Sequence, residues 1–104
     1  MVSPEAIQAL CEGIIRGYHP EKVVLFGSYA YGQPDEGSDV DLLVVLPFSG
    51  KGPRLAAAMM AHLRPAFPVD ILVRDPGFLL DRLSLGDPFL RQVMDHGRVL
   101  YAAS

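Results

Sequence analysis

Gly27 and Ser28 stand ten residues ahead of Asp39-x-Asp41, and a further acid, Asp70, interrupts an apolar run downstream. Each residue type suits one part of phosphate chemistry. Glycine lets the backbone come close to an anion, and a serine hydroxyl with the N–H groups of a following helical turn faces it. Two carboxylates one residue apart on an extended segment point to one face, with Cα atoms roughly 7 Å apart. Brought to about 5 Å, their charges repel by roughly 3 kcal/mol at an effective dielectric near 20, a cost that a bound cation removes. Hard divalent ions such as Mg²⁺ take oxygen ligands and combine one or two protein carboxylates with substrate phosphates and water. The set describes a phosphate cradle facing a metal site.

Taken singly, each fragment also has an ordinary structural reading. Gly-Ser is a common turn, paired acids at a strand edge discourage aggregation, and Asp70 fits a strand tipped by solvent. The combination is the specific signal: a strand ending in Gly-Ser, a fixed gap, then Asp-x-Asp heading a second apolar strand.

The elements that must position these residues follow from periodicity. Lys22 to Phe26 is a β-branched and aromatic run that delivers Gly27 and Ser28 at its carboxyl end, and a short helical turn follows Ser28. A loop with Gly32, Pro34, Asp35, Glu36 and Gly37 leads into the second strand, which Asp39 opens and Pro47 bounds. Phe67 to Val73 reads as a third strand with Asp70 near its start. Ahead of all three, Ser3-Pro4-Glu5 caps an amphipathic helix whose Ile7, Leu10, Cys11, Ile14, Ile15 and Tyr18 recur at helical spacing. A helix over roughly 53–63 separates strands two and three, and Asp75-Pro76 and Asp87-Pro88 open two more before a last short strand at 98–101. This order predicts an α+β fold, a small mixed β-sheet packed against helices, as one domain over residues 1–104.

Composition narrows the function classes. Half the residues are hydrophobic and a fifth charged, as in soluble globular domains, and no apolar run reaches the roughly 20 residues that span a bilayer. The N-terminus lacks the layout of a signal peptide, so the cytoplasm is the expected compartment. A net charge of −3 without a block of like charges argues against a long nucleic acid as partner, since that binding rests on phosphate neutralisation by Lys and Arg. The single cysteine, Cys11, makes no internal disulfide and falls on an apolar helix face. His19, His62 and His96 show no metal-ligand spacing and read as surface or helix-end residues, and Met59-Met60 as core filler. Apolar faces on the helices after Pro76 are open to two uses, a core or an interface with a partner or a second copy.

Gly27-Ser28, Asp39-x-Asp41 and Asp70 together resemble the nucleotidyltransferase superfamily typified by DNA polymerase beta, from about Lys22 to Val73. Chain length and the runs Leu42-Leu43-Val44-Val45 and Val69-Asp70-Ile71 resemble its smallest branch, the minimal nucleotidyltransferases paired as antitoxins with HEPN-domain toxins. That resemblance implies the polymerase-beta-type fold and transfer of AMP from ATP to a hydroxyl, expected on a tyrosine, of a HEPN partner. It also implies Asp39, Asp41 and Asp70 as catalytic and Mg²⁺-binding residues, with Gly27 and Ser28 holding the nucleotide. One departure stands out, because Tyr31 occupies the position where many relatives carry arginine. Tyr29 and Tyr31 have two roles open to them, stacking on a base or packing beside the turn. A non-catalytic module that neutralises its partner by contact alone is the rival reading. Transfer to a small molecule would require an additional acceptor-binding domain.

Overall fold

Ser3 opens the first helix as a cap: its hydroxyl accepts the Ala6 N–H at 3.1 Å, and Pro4 occupies the first turn, where no N–H is needed. Helix α1 (Pro4–Tyr18) then runs until His19 adopts a left-handed conformation at φ 50°. The computed structural model describes residues 1–104. After α1 come β1 (Lys22–Phe26), α2 (Ser28–Tyr31), β2 (Val40–Val45), α3 (Gly52–Leu63), β3 (Val69–Arg74), α4 (Pro76–Ser84), α5 (Pro88–His96) and β4 (Arg98–Ala102). This is the expected α+β order with a mixed sheet.

The strands form one sheet in the order β3-β2-β1-β4. β1 runs antiparallel to both β2 and β4, whereas β2 and β3 run parallel. Parallel strands need a crossover, and α3 supplies it. Helices cover both faces. Val23, Leu25, Leu42, Val44 and Ile71 pack on one side with Ile7, Leu10, Ile14 and Met59 of α1 and α3. Val24, Phe26, Leu43 and Val45 pack on the other with Leu79, Leu90 and Val93 of α4 and α5. A strand covered twice reads as a continuous apolar run, and in β2 every residue is buried except Asp41.

Strand direction explains where the chemistry-bearing residues fall. Because β1 ends where its antiparallel neighbour β2 begins, and β3 begins beside β2, one end of the sheet collects Gly27, Asp41 and Asp70. The third strand starts two residues later than its apolar pattern suggests. Pro68 has no N–H to give a ladder, and its carbonyl instead accepts the Val40 N–H at 3.0 Å. The second strand likewise starts at Val40, one residue after Asp39.

Candidate active site

Asp41 stands across from Phe26 in one ladder and from Asp70 in the other. Directly paired residues project to the same face of a sheet, and Asp39, one residue before β2 begins, lies close enough for its charge to act on Asp41. That face is the one α4 and α5 cover further along. At this end the covering stops, leaving Asp41 half-buried and Asp39 and Asp70 exposed. Burial, then the neighbouring charge of Asp70, then that of Asp39, pushes the Asp41 carboxyl above the usual carboxylate range.

The loop before Asp39 is fixed by its own turn. Ser38 Oγ accepts the Asp35 N–H at 2.9 Å, and Asp35 Oδ1 accepts the Gly37 N–H at 2.9 Å. The chain thus enters β2 with Asp39 already aligned two residues before Asp41.

Gly27 meets the acids from β1. Its φ of 74° and ψ of −155° belong to a region that only glycine occupies readily, and a Cβ there would collide with Asp41 Oδ2. Its carbonyl accepts the N–H groups of Ala30 and Tyr31 at 3.0 and 3.1 Å, which winds α2. Gly32 closes the turn, since a Cβ at that position would lie 2.8 Å from Ser28 Cα. The N–H groups of Ser28 and Tyr29, first in the helix, have no carbonyl within it to bond.

All five residues singled out in the sequence therefore lie at one end of the sheet. They form an open patch, and none of them lines the larger cavities, of which the roomiest, about 710 Å³, is bounded by Phe48, Lys51 and Arg54 at the far end. No three carboxylate, imidazole or thiol groups are drawn close enough to close on one ion, so an ion shared by the trio requires side-chain rotation.

The aromatic surroundings were only partly legible. Tyr29 packs, its hydroxyl accepting the Val2 N–H at 3.1 Å. Tyr31 stands with its ring centroid 6.2 Å from that of His96, the last residue of α5. Phe89, at the start of α5, sets its ring 5.8 Å from Phe26 at an interplanar angle of 83°. No spacing rule joins residue 89 to the acids, because the link runs through a tertiary contact. Cys11 is fully buried and its thiol is pushed up to about 11, chiefly by burial, in keeping with a packing role.

A sheet end that gathers carboxylates opposite a Gly-Ser turn defines a class of phosphate-handling α+β proteins. Residues 5–78 match the sequence model of the nucleotidyltransferase domain, and the chain belongs to that family. Among solved structures, it is similar to a candidate nucleotidyltransferase from Sulfolobus solfataricus, with 26% identity and a TM-score of 0.59 over 75% of this chain and 70% of that one. It shares its fold with a toxin–antitoxin structure containing AMP-PNP, at 22% identity and a TM-score of 0.60 over 93% of this chain and 74% of the other. A mutant of the toxin–antitoxin MntA–HpeT with two Asp-to-Glu changes is also alike in fold, at 21% identity and a TM-score of 0.58 over 99% and 76%. No curated protein sequence matches at a significant level. No helix is long and apolar enough to cross a membrane.

Proposed function

We propose that this chain transfers a nucleoside monophosphate, AMP from ATP, to a hydroxyl of a partner protein and thereby acts as an antitoxin in the cytoplasm. The observation that supports this most is the register that sets Asp41 beside Asp70, with Gly27 pressed against the Asp41 carboxylate. The partner in this reading is a HEPN-domain toxin and the acceptor a tyrosine. The toxin–antitoxin structures of the same fold, one holding AMP-PNP, support that choice.

Asp39, Asp41 and Asp70 are the residues to hold Mg²⁺. Their all-oxygen donor set fits a hard cation, and the absence of a Cβ on Gly27 is what admits the Asp41 carboxylate to this position. Bound there, Mg²⁺ supplies charge neutralisation to the triphosphate and to the departing pyrophosphate. Gly27 and Ser28 hold the leaving phosphates through backbone N–H groups and the Ser28 hydroxyl. Asp70, at the start of the edge strand β3, orients the attacking hydroxyl and receives its proton. The hydroxyl oxygen bonds to the α-phosphorus as the bond from that phosphorus to the bridging oxygen breaks, releasing pyrophosphate. The chain's share of catalysis is positioning and charge placement.

Incubating the purified chain and its partner with ATP and Mg²⁺, followed by intact mass, tests the proposal. One or more AMP adducts on the partner are expected, and none on a tyrosine-to-phenylalanine acceptor. No adduct across several metals and nucleotides would refute it. The rival reading, neutralisation by contact alone, draws on the exposed Phe78, Leu80 and Leu85 of the α4 region. Asp41→Asn separates the two: a catalyst loses transfer while folding normally, whereas a contact antitoxin goes on protecting its host.

A further inference from the structure

We infer that Phe89 is the platform on which the base of the donor nucleotide stacks, and that the site consequently accepts all four bases with little discrimination. This rests on the transferase reading given above and adds to it the part of the donor that the acids and the Gly-Ser turn leave unaccounted for. Phe26 is the ladder partner of Asp41, so its side chain stands next to the Asp41 carboxylate on the same sheet face. The Phe89 ring lies 5.8 Å beyond Phe26, edge to face, and is fixed by that contact. The ring thus lies one aromatic contact beyond the residue paired with Asp41, on the side where a donor whose phosphates meet the acids would carry its base.

The neighbouring residues of α5 make the ring's exposure informative. Leu90 and Val93 are 3% and 0% exposed and pack into the core, whereas Phe89 is 50% exposed although it lies at the same helix start. A large apolar ring is thus held rigidly with one side open, beside a patch suited to phosphate. Tyr29 cannot serve the same purpose, because its hydroxyl is tied to the Val2 N–H.

Asp87, the cap of α5, is already occupied, which favours stacking over hydrogen bonding as the contact to the base. Asp87, two residues away, spends Oδ1 on the Leu90 N–H at 3.1 Å and Oδ2 on Arg82 Nε at 3.2 Å. Phe26, Leu90 and Val93 offer no donor or acceptor. Every base has a π face, so a stacking shelf tolerates sequence differences that an edge-reading pocket rejects.

The test is calorimetric binding of ATP, GTP, CTP, UTP and inorganic tripolyphosphate, each with Mg²⁺, to the wild-type chain and to Phe89→Ala, Phe89→Leu, Phe89→Tyr and Tyr31→Ala. Phe89→Ala is expected to weaken all four nucleotides by roughly 5- to 150-fold, the range for losing one base–aromatic stack, while tripolyphosphate changes by less than about twofold. Phe89→Tyr should bind nucleotides like the wild type. Phe89→Leu keeps the apolar bulk against Phe26, so its nucleotide loss separates stacking from unfolding should Phe89→Ala fold poorly. Equal losses for nucleotides and tripolyphosphate, no loss at all, a loss confined to Tyr31→Ala, or a strong preference of the wild type for one base would each overturn the inference. Failure of the wild type to bind both ATP and tripolyphosphate would overturn the transferase reading itself, and this inference with it.

Discussion

Replacing Gly27 with alanine tests whether the turn and the acids are one mechanical unit. Two costs arise at the same atom. The backbone sits at φ 74° and ψ −155°, where a residue with a Cβ is strained by about 1–3 kcal/mol. The new methyl would also collide with Asp41 Oδ2, and with Cγ of the same carboxylate at 3.1 Å, so Asp41 must rotate away from Asp70 or β1 must shift. Gly50 provides the control, because it has φ 88° and nothing within 4 Å of a built Cβ. Gly50→Ala should show backbone strain alone. For a chain of 104 residues, about 2 kcal/mol corresponds to a fall in Tm of roughly 8–16 °C. Gly27→Ala should therefore melt within or below that range and bind Mg²⁺ with tripolyphosphate poorly. Gly50→Ala should melt higher than Gly27→Ala and bind normally. Scanning calorimetry and titration on both variants give the comparison. A Gly27→Ala protein that matches Gly50→Ala in both measurements would refute the idea that the turn presses on the carboxylate.

Asp41→Asn should be more stable than the wild type near pH 7 without divalent ions. The raised carboxyl makes ionisation destabilising, so the native protein loses stability as pH rises from the ordinary carboxylate range through the Asp41 value, and the two melting curves should converge in acid. Millimolar Mg²⁺ with ATP should raise the wild-type Tm and leave Asp41→Asn unmoved, because a ligand stabilises only the state that binds it. Asp87 behaves oppositely, since its bond from the Leu90 N–H and the Arg82 contact hold its carboxyl below the usual range. Asp87→Ala should lower the Tm at neutral pH, with a penalty that fades as pH falls through the depressed value, while Asp87→Asn, still able to cap α5, should lose less. Cys11 should resist iodoacetamide at pH 8 in the native protein and react at the rate of global unfolding, as followed by mass spectrometry.

What was legible in the sequence was local. The Ser3 cap and the two Asp-Pro helix starts each rest on neighbours within a few residues, and the structure has them so. The start of β3 falls later than the apolar pattern because Phe67 favours a strand, while the ladder is decided by N–H groups and Pro68 has none. The juxtaposition of Asp41 and Asp70 was an even choice on sequence alone, because it depends on which strand lies beside β2. The division of the helices between two sheet faces was equally hidden. Both are non-local facts, and the Phe26–Phe89 contact that reaches the site across 63 residues of chain is another.

The pairing of the two acids is nonetheless enforced by something other than the acids. Side chains alternate strictly along a strand, so sliding β3 by one residue against β2 would turn Asp70 toward α1 and α3 and bring Ile71 and Val73 out of that core. Burying each of those two apolar side chains is worth roughly 1.5–3 kcal/mol, and an unpaired carboxylate in the core would add a further cost. The repulsion of about 3 kcal/mol between carboxylates 5 Å apart is smaller than the combined cost of the slip. Apolar burial on one face of β3 therefore holds a charge conflict in place on the other face. A site of this kind does not relax by repacking, and its strain is relieved by a cation, by a proton on Asp41 or by an amide substituted there.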